Sequence, residues 1–192
     1  DAKWNFKQWN DQKSTLKVGG AYTYKQRDFS TRTYRVNVLR GRKTDYTLNP
    51  DEIFQGDNIY DVNNNPEGVF LTSSFQPKNN YEANSTNFAA YIQNELPLNT
   101  SLKAVYGVRF ENFVINYTGE SVVGKVFRDD EVLNETNILP SLGLVYNLME
   151  ETNLRMNFSQ TVARPSFKEK SGATIVDALS GRTFIGNVDV EQ

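Results

Sequence analysis

Residues Asn137 to Phe167 read NILPSLGLVYNLMEETNLRMNFSQTVARPSF. The stretch divides into two alternating runs joined by a short polar turn. In the first, Leu142, Leu144, Tyr146 and Leu148 fall on one phase and Ser141, Gly143, Val145 and Asn147 on the other. In the second, Leu154, Met156 and Phe158 oppose Arg155, Asn157 and Ser159. A β-strand points successive side chains to opposite faces, so each run has one apolar and one largely polar face. The turn Met149-Glu150-Glu151-Thr152-Asn153 is short enough for a direct antiparallel hairpin. Such a hairpin suits a half-buried soluble sheet. It equally suits two neighbouring staves of a membrane barrel, apolar face to lipid and polar face to lumen.

The same alternation recurs upstream. Leu16, Val18, Gly20, Tyr22 and Tyr24 share a phase opposite Lys17, Gly19, Ala21, Thr23, Lys25 and Arg27. Tyrosines at one end of an apolar face resemble the aromatic girdle of a membrane barrel, although Tyr is also ordinary in soluble strands. Leu102, Ala104, Tyr106, Val108 and Phe110 alternate with Lys103, Val105, Gly107, Arg109 and Glu111. Asn84 to Leu96 sorts less cleanly. The pattern predicts strands over about 3–9, 14–27, 84–96, 101–112, 138–148 and 152–163. Turn chemistry such as Asn49-Pro50-Asp51 and Asn63-Asn64-Asn65-Pro66 marks the intervening 28–83 as a long loop. Residues 117–136 and 168–192 read as further long loops.

These connections run short, long, short, long, short, long. Outer-membrane barrels alternate short periplasmic turns with long extracellular loops in this way. The expected fold is therefore all-β: an antiparallel up-and-down meander forming a segment of a transmembrane β-barrel. Residues 1–192 would be part of one barrel domain. About six strands are fewer than any closed membrane barrel uses, so the chain is expected to be a middle slice of something larger.

Composition narrows the chemistry. The 192 residues contain no Cys and no His and carry a net charge of -2. That removes disulfides, Cys/His zinc sites and His-based catalysis, and gives no global attraction to nucleic acid. Mean hydropathy is -0.59, and no run approaches the ~18 apolar residues of a helical span. A barrel is compatible with this, because only alternate residues meet lipid. No enzymatic constellation, cofactor site or metal site is expected. Asp61-Val62-Asn63-Asn64-Asn65-Pro66 opens like a calcium loop but has Pro66 at the place that needs Gly and Thr72 at the place that needs Glu.

A set of short motifs then carries a family resemblance. Ala89-Ala90-Tyr91, Glu95-Leu96-Pro97-Leu98, Gly107-Val108-Arg109-Phe110-Glu111, Leu139-Pro140-Ser141-Leu142, Asn153-Leu154-Arg155 and Ala163-Arg164-Pro165-Ser166-Phe167 occur in this order. Together they resemble the barrel of TonB-dependent outer-membrane receptors, with the receptors of Bacteroidetes as the nearest flavour. The resemblance covers about Asn84 to Phe167. It implies a 22-stranded barrel in the bacterial outer membrane, closed by a plug domain. Such a barrel imports a siderophore, carbohydrate or peptide ligand with energy delivered by an inner-membrane complex. The implied partners are membrane lipid and lipopolysaccharide, the receptor's own plug domain, and TonB. This chain shows no plug domain, no energy-coupling box and no terminal strand ending in an aromatic residue, which again suggests a middle slice. The alternative is a soluble or surface-attached antiparallel β module, an adhesin or carbohydrate binder.

On the barrel reading, Lys17, Lys103, Arg109, Glu111, Arg155 and Asn157 would face the lumen. Leu102, Tyr106, Val108, Phe110, Leu142, Leu144, Tyr146, Leu154, Met156 and Phe158 would face lipid. The simpler account of the charged set is a solvated strand face, because charges normally face water. Lys25, Arg27, Arg32, Arg35, Arg40, Arg42 and Lys43 form a basic cluster, read as a solvated rim or a contact for anionic groups. Ala163-Arg164-Pro165 reads as architecture, since proline cannot donate to a strand ladder.

Overall fold

The computed structural model describes residues 1–8, 11–38, 49–55, 58–64, 66, 68–177 and 179–188. Trp9, Asn10, Arg40, Arg42, Lys43, Gly56, Asp57 and Asn65 lie outside the described residues.

Six long strands form one antiparallel sheet: β1 (Ala2–Gln8), β2 (Gln12–Phe29), β5 (Tyr81–Pro97), β6 (Leu102–Glu120), β7 (Val126–Met149) and β8 (Thr152–Ser159). Their order in the sheet is β1-β2-β5-β6-β7-β8, a meander in chain order. The one interruption is a separate hairpin of β3 (Arg32–Val38) and β4 (Val69–Phe75), inserted between β2 and β5. A short helix, α1 (Pro50–Ile53), precedes β4 and a 3₁₀ turn at Pro77–Asn79 follows it. The small pair β9 (Thr174–Val176) and β10 (Thr183–Ile185) follows the sheet.

The turns at one end are short for local reasons. Asp11 adopts a positive φ of 63° between β1 and β2, a conformation Asp tolerates better than most residues. Asn99 closes the β5–β6 turn by accepting hydrogen bonds from the N–H groups of Ser101 and Leu102, at 2.8 and 2.7 Å. Only Glu150 and Glu151 separate β7 from β8.

The other end differs from the sequence expectation. Residues 117–136 are not a long loop: β6 runs on to Glu120, β7 starts at Val126, and Ser121 to Lys125 suffice to join them. Gly124 takes a φ of 84° in that turn. Two register shifts, between Ile115 and Asn116 and between Tyr117 and Gly119, break the alternation, so the strand signal disappeared from the sequence. The 28–83 segment contains the β3–β4 hairpin instead of being loop throughout. The last strand of the six-stranded sheet ends at Ser159, not near residue 163, and the chain then turns back across the sheet.

That return segment, residues 160–188, builds the main apolar cluster. Tyr81, Ala83, Tyr117 and Phe127 of the sheet pack with Ala173 and Val188, flanked by Phe29, Val132, Phe167 and Ile175. Tyr81 stacks on both Phe29 and Tyr117, with centroids 5.3 and 5.7 Å apart.

Candidate functional site

Backbone register decides which residues share a face, because directly paired residues point the same way. One face carries Trp4, Leu16, Asn94, Tyr106, Leu142 and Phe158 at a single level of the sheet. Neighbouring levels add Val18-Ile92-Val108-Pro140 and Ala104-Leu144-Met156. Leu102, Tyr146 and Leu154 are likewise aligned. All ten residues expected to face lipid therefore lie on this one face. Its large apolar side chains are uncovered: Tyr22 is 68% exposed, Phe88 51%, Leu154 59% and Phe158 64%. A contiguous apolar surface of this extent marks a membrane or protein contact.

The apolar band is oblique to the sheet. Its midpoint lies at Gly20 in β2, Ile92 in β5, Tyr106 in β6, between Leu142 and Leu144 in β7, and at Met156 in β8. Projected through the pairing onto β7, this is a drift from the level of Ile138 to that of Leu144. Six residues of strand are ~20 Å, and four strand spacings are ~19 Å. The band thus crosses the strands at about 45° to their perpendicular, close to the tilt of strands in a membrane barrel. The strands also overrun the band. β7 has 24 residues, while crossing a bilayer takes about 9–11.

The opposite face holds the six residues expected to be lumenal. Lys17, Gln93 and Gly107 share a level, as do Lys103, Val145 and Arg155. Asn157 pairs with Gly143, and Glu111 with Ala89 and Asn137. Lys103 donates to Glu95 at 2.5 Å.

The structure concentrates polar chemistry where β6 meets the return segment. The Glu111 carboxylate, only 7% exposed, accepts from Arg109 on its own strand and from Arg164 of the return segment. The Arg164 guanidinium also sits over the Phe113 ring, 4.7 Å from its centroid. Arg109 and Glu111 were legible as a same-face pair. Arg164 was read as architecture, and its role was missed because its partner is 53 positions away in the chain.

Further along, two contacts pin the return segment to the sheet and a third braces it internally. The Gly172 N–H donates to the Tyr117 hydroxyl at 3.1 Å. The buried Lys170 ammonium donates to the carbonyls of Val132 and Val188 at 2.9 and 2.7 Å. Ser166 and Glu169 bond reciprocally, each N–H to the other's side chain. Burial pushes both the Tyr81 and Tyr117 phenols above their ordinary pKa. The Ser166 N–H holds the Glu169 carboxyl below its ordinary value.

Two clefts flank the Arg164–Glu111 pair. One, of about 350 Å³, is lined by Arg109, Glu111, Ser141 and residues 160–162. The other, of about 720 Å³, lies between the return segment and β2, β5 and β6. Among the described residues no group of acidic side chains is placed to hold a metal ion. The Asp61 carboxylate is engaged by its own turn, accepting from the Asn63 N–H and the Asn64 amide at 2.8 and 2.9 Å.

A family model described as TonB dependent receptor-like, beta-barrel, matches residues 1–191. The chain belongs to that family. No curated protein matches it. Members of the TonB-dependent receptor family are outer-membrane receptors and transporters rather than enzymes. The family works with a plug domain and with TonB. The six-stranded sheet is accordingly an all-antiparallel segment of a barrel, with β1 and β8 as its edges. The match does not specify a bacterial lineage.

Proposed function

We propose that this chain forms part of the wall of a TonB-dependent transporter in the bacterial outer membrane. The apolar face of the sheet meets lipid and lipopolysaccharide, and the face carrying Lys17, Lys103, Arg109, Glu111, Arg155 and Asn157 lines the lumen. The observation that carries this reading is the oblique apolar band, whose drift from Gly20 to Met156 follows the strand tilt of a barrel. A soluble binding module would have to leave this band in water.

The tight turns at Asp11, Asn99 and Glu150 then lie at the periplasmic end. The β3–β4 hairpin, the β6–β7 turn and the return segment lie at the extracellular end, where strands overrun the band. The return segment folds over the lumenal face, so it narrows the route a ligand takes. The ligand belongs to the siderophore, carbohydrate or peptide class. The plug domain and TonB partner the barrel from outside this stretch, and the chain does no chemistry of its own on the ligand.

The test is assembly. Charges introduced one at a time at Tyr106, Leu144 and Leu154 are expected to block insertion of the complete receptor, scored by heat-modifiable mobility of outer-membrane fractions. An Asp at Asn157, on the opposite face, is expected to be accepted. Equal tolerance on both faces would sink the reading.

A further inference from the structure

We propose that the larger cleft under the return segment binds an organic anion, one that carries carboxylate or sulfate groups beside an apolar ring face. This deepens the transport reading and rests on the polar face being lumenal.

The cleft's lining is one-sided in charge. Lys25 and Arg27 enter from β2, Arg164 and Lys168 from the return segment, and no Asp or Glu lines it. Glu111, just beside it, is already bonded to Arg109 and Arg164. Among the described residues Lys25, Arg27 and Lys168 form no ion pair. Lys168 instead rests 3.5 Å from the Phe184 ring centroid and Arg27 5.9 Å from that of Phe29. Glu111 offsets Arg164 and Asp177 partly offsets Lys168 from outside the lining, so the repulsion that an anion relieves falls chiefly on Lys25 and Arg27.

Two buried polar atoms of the lining are also unpaired: the Asn87 side-chain oxygen and the Arg164 Nε. A buried acceptor and a buried donor without partners are costly, and both belong to residues around this one cleft. Both atoms are covered in this conformation, so a ligand group that donates and accepts pairs them only once the Asn87 and Arg164 side chains turn toward the cleft. Phe113 and Phe167 form apolar wall, and the volume of about 720 Å³ is within the range of small-ligand sites. Cations give the anionic end its place, the amide and hydroxyls give polar partners, and the rings give a flat apolar contact.

The experiment is titration calorimetry on the complete, assembled receptor in detergent, with two probes: tri-galacturonate, an acidic sugar, and naphthalene-2,6-disulfonate, a flat aromatic anion. Saturable binding of one or both is expected, weakening as salt is raised. Lys25→Gln and Lys168→Gln are each expected to weaken it about tenfold, the loss of one charge-assisted contact. Lys103→Gln, on the same face beside Glu95, is expected to leave it unchanged. Which probe binds tells sugar from aromatic anion. Failure of both probes, or binding indifferent to Lys25 and Lys168, overturns the proposal. So does a result in which those variants loosen the plug domain in a protease assay while probe affinity stays put, since the cations would then be holding plug. A receptor that assembles normally yet ignores the probes defeats only this inference. Charges tolerated on the apolar face defeat the lumenal reading beneath it.

Discussion

Arg164 reaches from the segment after β8 to Glu111 in the middle of β6, where Arg109 already holds the same carboxylate. One acid bonded by two guanidinium groups ties a loop-side residue to the barrel wall. Glu111 is almost fully buried while Arg109 remains partly exposed. Losing the acid strands Arg164 against Phe113, so removing Glu111 does more harm than removing Arg109. Glu111→Ala is expected to release the return segment, at a cost of about 1–3 kcal/mol. Hydrogen exchange at residues 168–173 should rise by one to two orders of magnitude. Arg164→Ala should produce the same rise, and the double variant no more than the larger single effect. Fully additive effects would mean that the two residues act separately.

Tyr117 provides a second anchor with a pH signature. Its phenol and that of Tyr81 are buried and shifted above the ordinary tyrosine value, burial being the first cause for both. The folded state therefore holds these protons more tightly than the unfolded chain. The resulting stability is fully present below the unfolded pKa of about 10 and is lost as pH rises through the higher folded values. Absorbance titration at alkaline pH is expected to show late-titrating phenols among the ten tyrosines, with docking of the return segment lost in the same step. Tyr117→Phe should remove one late phenol and the Gly172 bond together, a loss of about 1 kcal/mol. Tyrosines that all titrate together would contradict this packing.

Gly172 tests the same docking by shape. A Cβ built there would lie 2.6 Å from the Ser121 Cα and 3.0 Å from the Glu120 carbonyl oxygen. Both are backbone atoms, one at the end of β6 and one in the turn that follows, and cannot swing away. Gly172→Ala is thus expected to lift the segment off the turn, costing about 1–3 kcal/mol. Gly181→Ala meets no neighbour within 4 Å, but its φ of 65° adds a small strain cost of its own. The check is limited proteolysis of the return segment, which should be fast for the first variant and near wild type for the second.

How much of this was visible in the sequence follows from where each signal resides. The hairpin of Ser141 to Ser159 was legible because pleat geometry writes itself into every second residue: Leu142, Leu144 and Tyr146 against Gly143 and Asn157. The upper parts of β6 and β7 were not. Beyond the apolar band both faces of a strand can be wet, and the shifts at Ile115/Asn116 and Tyr117/Gly119 reverse the phase midway. Asp129, at a positive φ of 58° opposite these shifts, reads as a turn residue in isolation although it sits inside a strand. The fold-back of residues 160–188 had no local signal. Pro165 suggests a strand end near residue 163, but pairing already stops at Ser159 and nothing local says where the chain goes next; the Glu111, Tyr117 and Val132 contacts are all remote in sequence. The candidate cleft is half visible in the sequence: Lys25 and Arg27 stand out as basic strand residues, while Lys168 falls in a stretch whose pattern reads as a long loop.

The slant of the apolar band yields the sharpest prediction, because it separates depth in the membrane from position in the sheet. Leu16, Tyr106 and Phe158 occupy one hydrogen-bonded level. If that level lay parallel to the membrane, a charge at any of the three would cost the same. On the slanted band Tyr106 is central, Leu16 is the last apolar residue toward the β1–β2 turn, and Phe158 is the last toward the opposite end of the sheet. Arg at the midplane of a barrel costs about 2–4 kcal/mol and near the interface about 0–1. Tyr106→Arg is therefore expected to be more damaging to folding into vesicles than Leu16→Arg or Phe158→Arg. Ile92→Arg and Met156→Arg, at different hydrogen-bonded levels but the same depth, should match Tyr106→Arg. Denaturant titration of the complete receptor in bilayers measures these costs directly. A ranking by sheet level instead of by diagonal would mean that the strands run along the membrane normal, and the barrel geometry inferred from this face would be wrong.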